Sequence, residues 1–179
     1  MSLIVYCRNI YLHWVLTDGM EIRSLTHVDL NSMWEINEQG LPGTGKVSIE
    51  EISNLLDISE LALGVYQDEQ LLGFVLCLLP KTNYGSLNYA WFNQRYDEFI
   101  YVDRIAVSIH NRDRGIGSLL YQEVIKYSER NNVMITAEVS LKPPNEGSMR
   151  FHHRFGFRDV GVLEHESKSV TLMTRENRV

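Results

Sequence analysis

The chain has 179 residues, of which 44% are apolar, 22% charged and 10% aromatic, and this length suits a single domain with one hydrophobic core. Its 17 Lys and Arg residues and 23 Asp and Glu residues give a net charge of −6, which disfavours general binding to nucleic acid or to an anionic membrane. The two cysteines, Cys7 and Cys77, cannot form a disulfide framework or a zinc site alone. We therefore expect reduced thiols in a cytoplasmic protein.

Residues 1–19 are predicted to form an N-terminal extension, because a regular pattern begins only at Met20. This segment carries Arg8 and His13 among its apolar residues, which makes it too short and too polar for a membrane span and unlike a signal peptide. It is interpreted as an extra strand, as a surface-packed arm, or as a stretch before a natural start at Met20. Residues 20–179 are predicted to form one domain.

Apolar spacing and turn residues predict the order β-α-α-β-β-β-α-β-α-β-β, which indicates a mixed α/β sheet flanked by helices. Ser48 and Glu51 form a capping box at the start of the second helix. Residues 80–96 are predicted to form a long loop rich in Asn and aromatic residues. The predicted strands cover residues 20–25, 60–66, 71–79, 99–107, 133–140, 157–163 and 169–174, and the predicted helices begin at residue 26 or 29, 48, 114 and 145.

The most informative segment runs from Val107 to Gly117, where a buried strand ends, a polar turn follows and two glycines lie at the start of a helix. Backbone N–H groups at a helix N-terminus point outward, and the helix dipole favours an anion there. Gly115 and Gly117 allow the backbone to approach a phosphate, and Arg112 and Arg114 add charged donors. Several successive amides and two guanidinium groups suit a diphosphate better than a monophosphate.

The pattern Arg112-x-x-Gly115-x-Gly117 after an apolar strand resembles the acetyl-CoA pyrophosphate loop of the GNAT N-acyltransferase superfamily. Downstream, the run from Asn145 to Phe157 resembles the short helix of that superfamily, N-x-x-S-x-x-F-Y-x-x-x-G-F. The resemblance covers about residues 20–174 and implies the GNAT fold, with a central, mixed and mostly antiparallel sheet flanked by helices. It implies an N-acetyltransferase that moves an acetyl group from acetyl-CoA to a primary amine of a small molecule, amino acid or peptide, by direct attack in a ternary complex.

The resemblance also implies roles for individual residues. His152 stands where many family members carry a Tyr that protonates the departing CoA thiolate, and a His can donate a proton near neutral pH. Asn145 and Phe151 would lie beside the cofactor. The backbone that pairs with the pantetheine arm would be that of Ile105, Ala106 and Val107. The amides that hold the pyrophosphate would be those of Arg112, Asp113, Arg114, Gly115, Ile116, Gly117 and Ser118.

The general base is predicted among the carboxylates of the central strands. Asp103 is the first candidate, because members of the resembling family often carry a carboxylate on the strand that leads to the loop. The alternative interpretation is a salt bridge with Arg104 or with a neighbouring strand, and Glu138 on the next strand is the competing carboxylate. Cys77 lies in an apolar strand, where a thiolate is disfavoured, so it is not expected to act as a nucleophile. The acceptor pocket is predicted in the aromatic segment, with ordinary packing as an equal alternative. Its candidate residues are Asn88, Tyr89 and Trp91.

Two other patterns suggest different chemistry. The run from Gly40 to Lys46 spells the G-x-x-x-x-G-K of a nucleotide P-loop, but Val47 replaces the magnesium-binding Ser or Thr and no buried strand precedes it. A flexible loop near the acceptor is expected instead, and a P-loop switch is the third hypothesis for function. His152 and His153 point about 100° apart on a helix and cannot chelate one ion well, so no metal is expected.

The second hypothesis is a GNAT-fold acyl-CoA-binding regulatory module with little or no turnover, because a His replaces the family's Tyr at residue 152. The oligomeric state is left open, with a homodimer as one possibility.

Overall fold

The structure is a computed structural model that describes residues 14–15 and 19–177. Most of the predicted N-terminal extension lies outside these described residues. The backbone of Trp14–Val15 forms a two-residue strand paired with the strand that starts at Met20. Among the described residues, no helix is long and apolar enough to cross a membrane.

Eight strands form one sheet in the order β1-β2-β3-β4-β5-β6-β8-β7. Only the pairing of β5 with β6 is parallel in the described part of the chain, and the other neighbouring pairs are antiparallel. The predicted mixed, mostly antiparallel sheet is therefore confirmed. The strands are β1 (Trp14–Val15), β2 (Met20–Ser24), β3 (Leu61–Gln67), β4 (Gln70–Leu78), β5 (Phe99–Val107), β6 (Met134–Lys142), β7 (Arg158–Glu164) and β8 (Ser169–Arg175).

Five α-helices flank this sheet in the described residues. They are α1 (Leu30–Gln39), α2 (Ile49–Ile58), α3 (Leu87–Asn93), α4 (Ile116–Asn131) and α5 (Glu146–Arg154). The capping box at α2 is confirmed, since the Ser48 side chain accepts from the Glu51 amide at 3.1 Å and the Glu51 carboxylate accepts from the Ser48 amide at 2.7 Å.

The prediction of an unbroken loop over residues 80–96 is wrong, because α3 lies inside it. Ser86 caps this helix by accepting a hydrogen bond from the Tyr89 amide at 3.3 Å. The helix is only seven residues long, and its Asn and aromatic residues have weak helix propensity. Its sequence therefore gives no clear helical signal.

The two faces of the sheet carry separate hydrophobic clusters. Because side chains alternate along a strand, Val75 and Cys77 of β4 pack with α4 on one face, whereas Phe74 and Leu76 pack with α1, α2 and α3 on the other. The chain thus buries both faces of its central strands. Functional groups can approach the middle of the sheet only where neighbouring strands separate.

Such a separation occurs between β5 and β6. Their pairing ends where Val102 lies opposite Ala137, although β5 continues to Val107 and β6 to Lys142. At the same level, β5 has a bulge against β4. Leu76 pairs with Arg104 and Cys77 pairs with Val102, so Asp103 is the extra residue of the bulge. Bulges re-aim side chains beside functional sites, and this one lies at the mouth of the opening.

Candidate active site

The turn between β5 and α4 presents backbone amides at the start of a helix. Asp113 and Gly115 adopt left-handed conformations, with φ of 62° and 79°, and Gly115 is the residue that precedes α4. The first helical hydrogen bond runs from the Leu119 amide to the Gly115 carbonyl at 3.0 Å. The amides of residues 116–118 therefore precede the helical bonding, and such amides at a helix N-terminus suit an anion.

The guanidinium groups of this loop are engaged with protein oxygens. Arg112 donates to the Gln39 carbonyl at 3.3 Å, and Arg114 donates to Asn111 Oδ1 at 2.6 Å and to Gln67 Oε1 at 3.0 Å. Both arginines remain exposed. They fasten the loop to α1 and β3 and keep further N–H donors free, since each guanidinium has five.

Two residues of the predicted cofactor site lie on or just before α5. A Cβ atom at Gly117 would lie 3.5 Å from the Phe151 ring, an ordinary contact, so Phe151 packs against the first turn of α4. Asn145 caps α5 by accepting from the Ser148 amide at 3.1 Å. Its amide nitrogen lies beside Gly43, where an added Cβ would come within 2.5 Å of it. Contact of Asn145 and Phe151 with a cofactor stays a prediction.

Beyond the end of its pairing with β6, β5 has an open backbone edge. Asp103 is partly exposed as a residue although its side chain is only 4% exposed, so its exposed surface is backbone. Ile105 and Val107 are also partly exposed, and Ala106 is buried. An extended ligand can hydrogen-bond to such an edge as an added strand.

Glu138 lies on β6, one residue beyond the last β5–β6 pair. Its carboxylate accepts hydrogen bonds from the Tyr101 hydroxyl at 2.7 Å and the Asn88 amide at 3.1 Å. Burial, followed by the nearby charge of Asp103, raises the pKa of Glu138 to about 7. A carboxylate with this pKa can accept and release protons near neutral pH.

Asp103 forms the second half of this acidic pair. Its Oδ2 atom is buried without a hydrogen-bond partner in the described structure, and Arg104 Nε lies 3.7 Å from it. Burial raises the pKa of Asp103, while Arg104 and a hydrogen bond from Tyr84 lower it. Asp103 therefore forms the ion pair with Arg104 that sequence reasoning offered as the alternative. Its role as a general base stays a prediction.

A row of hydrogen-bonded side chains links the acidic pair to the loop between β7 and β8. His165 Nε2 lies 2.9 Å from Asn88 Oδ1, and the same amide group donates to Glu138. Since a carbonyl oxygen only accepts, His165 donates and thereby fixes the orientation of the Asn88 amide. Sequence reasoning missed His165, because it is far from every other site residue along the chain.

The substrate-pocket candidates separate in the structure. Asn88 belongs to the site through Glu138. Tyr89 is 2% exposed, and its hydroxyl donates to the Leu79 carbonyl at 2.5 Å, so it packs the segment onto the sheet. The Trp91 ring stacks under Arg95 at 3.9 Å. A Cβ atom added at Gly161 of β7 would lie 3.0 Å from the Trp91 ring, so Trp91 packs toward that edge strand.

His152 is 3% exposed and both of its ring nitrogens are engaged. Nδ1 lies 2.8 Å from the Ser148 carbonyl, so Nδ1 carries the proton and Nε2 accepts from the Tyr121 hydroxyl at 2.6 Å. Burial lowers the pKa of His152, which favours the neutral ring. The geometry gives His152 a structural task, and its role as general acid stays a prediction.

Three further patterns suggest nucleotide, thiol or metal chemistry, which the described part of the structure does not support. The Gly40–Lys46 run lies between α1 and α2, without the preceding buried strand that a P-loop requires. Cys77 is buried as a free thiol, and burial raises its pKa, so a nucleophilic thiolate is disfavoured. Within residues 14–15 and 19–177, no cluster of His, Cys, Asp and Glu has the arrangement of a metal site.

Comparison with known proteins agrees with this architecture. The acetyltransferase (GNAT) family model matches residues 30–157, and the chain belongs to this family. The probable N-acetyltransferase san of Drosophila melanogaster is 23% identical over 117 residues, which are 65% of this chain and 57% of that protein. The chain thus matches little more than half the length of this relative.

Solved structures share the fold at low sequence identity. Ard1 from Thermoplasma volcanium has a TM-score of 0.71 at 18% identity, covering 88% of this chain and 97% of that one. Arabidopsis thaliana NAA60 in complex with acetyl-CoA has a TM-score of 0.69 at 21% identity, covering 88% and 99%. Arabidopsis thaliana Naa50 in complex with the bisubstrate analogue CoA-Ac-MVNAL has a TM-score of 0.69 at 18% identity, covering 89% and 99%. The predicted GNAT fold is confirmed.

Proposed function

We propose that the protein is an acetyl-CoA-dependent N-acetyltransferase, and that its acceptor is the N-terminal amine of a peptide. One observation carries this proposal. Glu138, with a pKa raised to about 7, lies beside an open strand edge that leads to the amide-rich start of α4. A proton acceptor, a strand edge for an extended arm and a set of free amides thus follow one another from the β5–β6 opening to the start of α4.

The residues present fit acetyl-CoA, which would supply the acetyl group as a thioester. The amides of residues 116–118 suit the diphosphate, and Gly117 keeps the backbone accessible. The open edge of Ile105–Val107 suits the amide groups of the pantetheine arm. A backbone amide on this edge can also stabilise negative charge on the acetyl oxygen.

Glu138 is the proposed general base. An amine is protonated at neutral pH and must lose a proton before it can attack, and the ionised Glu138 carboxylate accepts that proton. The amine nitrogen then bonds to the acetyl carbon while the carbon–sulfur bond breaks. The nitrogen then loses its second proton, which goes to the departing sulfur, so the products are the amide and the CoA thiol. Asp103 adds negative charge that attracts the cationic amine and raises the pKa of Glu138.

The preference for a peptide is supported by two observations. Arabidopsis thaliana Naa50 binds the analogue CoA-Ac-MVNAL, which joins CoA to a peptide, and its fold matches this chain. In this protein, a cavity of about 260 Å³ lies between α2 and residues 83–85, with Tyr84 and Arg104 in its wall. Because Arg104 directly follows Asp103 in the β5 bulge, this cavity adjoins the acidic pair and has room for the side chain of a first residue.

An acceptor screen with acetyl-CoA tests the proposal. The acceptors are the peptide Met-Val-Asn-Ala-Leu, the same peptide blocked at its N-terminus with a lysine added, free amino acids and a polyamine. We expect thiol release with the free peptide and a product that gains one acetyl group at its N-terminus. Transfer only to lysine or to small amines would overturn the peptide assignment. Acetyl-CoA binding without any product would favour the regulatory module.

A further inference from the structure

Arg104 makes a set of buried contacts that the proposed chemistry does not require. It follows Asp103 in the β5 bulge, and its side chain is 9% exposed. Its Nη1 atom donates to Asn37 Oδ1 at 2.5 Å, to the Thr44 carbonyl at 2.7 Å and to the Gly45 carbonyl at 3.3 Å. One guanidinium group thus ties the central strand to the end of α1 and to the loop that follows it.

The loop over residues 40–46, here called the α1–α2 loop, depends on these contacts for its shape. Asn37 is fully buried, and its amide nitrogen donates to the Gly45 carbonyl at 3.1 Å. The Thr44 hydroxyl donates to the Asn37 carbonyl at 2.8 Å. Arg104 and Asn37 therefore form a clamp, because they bind each other and each of them also binds the loop.

The clamped loop connects the two halves of the site. Gly43 lies against Asn145 at the start of α5, and Val47, just after the loop, lines the cavity beside Tyr84 and Arg104. Because the loop leads directly into Val47, its position sets where this part of the cavity wall lies. A displaced loop would leave the anion site at α4 in place but would change the acceptor space.

The charge of Arg104 acts on the same site. Its guanidinium lowers the pKa of both Asp103 and Glu138, because a nearby positive charge favours the ionised carboxylate. Other titratable groups also face this pair. They are Tyr84 from the segment after β4, Tyr101 from β5, Tyr121 from α4, Cys77 from β4 and, through Asn88, His165 from the β7–β8 loop.

We propose that Arg104 is a positioning residue that holds the α1–α2 loop against the strand of the acidic pair and so aligns the acceptor amine with Glu138. This inference rests on the proposed function. It assigns to Arg104 two separable effects, a mechanical one through Asn37 and the loop carbonyls and an electrostatic one on the carboxylates.

Three variants separate these effects. Asn37→Ala removes part of the clamp and keeps the charge. Arg104→Lys keeps the charge but cannot reproduce the planar guanidinium contacts. Arg104→Gln removes both charge and clamp. Arg130→Gln, at the far end of α4, is the control for loss of a positive charge, and melting temperature establishes that each variant is folded.

The first readout is hydrogen exchange in the free proteins, which needs no substrate. We expect the hydrogen-bonded amides of Gly40, Leu41 and Gly43 to exchange about 10-fold faster or more in Asn37→Ala and Arg104→Gln, since local opening controls exchange, and to be unchanged in Arg130→Gln. Unchanged exchange in both clamp variants would overturn the proposal, whether or not the wild type turns over any acceptor.

The second readout is kinetics with Met-Val-Asn-Ala-Leu. All three site variants should raise the KM for the peptide by about 5- to 20-fold, because misplacement of a reacting group weakens productive binding, while the KM for acetyl-CoA should be unchanged. Only Arg104→Gln should move the acid limb of kcat/KM to higher pH, by about half a unit. Equal rises in both KM values, or the same pH shift in Asn37→Ala, would contradict positioning. A wild type without turnover on any acceptor would instead contradict the proposed function.

Discussion

The two sides of the β5–β6 opening differ in the groups that they present, which are backbone groups on one side and side chains on the other. On the proposed cofactor side, backbone groups come from a continuous stretch, from Ile105 on β5 to Ser118 on α4, and much of this stretch is exposed. On the proposed acceptor side, side chains come from distant segments, with Asp103, Glu138 and His165 brought together by the sheet. Backbone amides do not titrate, whereas the acidic pair does. The affinity for the cofactor should therefore change little when the pH or nearby charges change, whereas the catalytic rate should change.

The largest effect should come from Glu138→Gln. If this carboxylate accepts the amine proton, its removal should lower kcat by about 10²–10⁴-fold, while the affinity for acetyl-CoA should stay the same. The measurement is steady-state thiol release together with a binding isotherm. Glu123→Gln is the matched control, because Glu123 is also a buried carboxylate but pairs with Lys126 on α4. Wild-type kcat in Glu138→Gln would contradict the base assignment.

On the cofactor side, the affinity for acetyl-CoA should depend on the shape of the turn before α4 rather than on its charge. Gly117→Val should weaken acetyl-CoA binding by about 10-fold or more, since its branched side chain obstructs close approach of a phosphate to the amides. Gly117→Ala should have a smaller effect, because its Cβ makes an ordinary contact with Phe151. Gly85→Ala is the control, since a Cβ there meets no atom within 4 Å. Unchanged affinity in Gly117→Val would show that this turn does not hold the diphosphate.

His152 is buried on α5 beside Tyr121 of α4, and its replacement separates structure from catalysis. His152→Phe leaves the Tyr121 hydroxyl buried without its partner, so we expect a loss of about 1–3 kcal/mol in the free energy of unfolding. Because both ring nitrogens are already engaged, kcat should change only a few-fold.

The double variant His152→Phe with Tyr121→Phe should recover part of this stability, since removing both partners leaves no orphaned group. Chemical denaturation and thiol release measure the two effects. A loss of about 10²-fold in kcat at unchanged stability would instead establish His152 as the general acid.

The smallest effect is a shift in pH dependence. Because Asp103 raises the pKa of Glu138, Asp103→Asn should lower that pKa and move the acid limb of kcat/KM to lower pH by up to about one unit. Arg104→Gln should move the same limb in the opposite direction. Rate profiles for the two variants would test this, and a shift of the same sign in both would contradict the acidic pair.

The turn before α4 was predictable from sequence because its signals are local, and its contact with a cofactor stays a prediction. A strand, a polar turn and two glycines before a helix lie within a few residues, and the structure places α4 directly after Gly115. The acceptor side was only partly predictable. Asp103 and Glu138 were candidates, but their relative roles depend on burial and on the bulge. His165 and the Arg104–Asn37 clamp join residues far apart in the chain, and no local pattern marks such pairs.

The most direct test of the account is acetyl transfer to Met-Val-Asn-Ala-Leu measured between pH 6 and 9, with acetyl-CoA binding measured at the same pH values. The account predicts an acetylated N-terminus, a rate that rises through the pKa of Glu138, about 7, and a binding affinity that does not follow that rise. Saturable acetyl-CoA binding without acetylated peptide at any pH would contradict it.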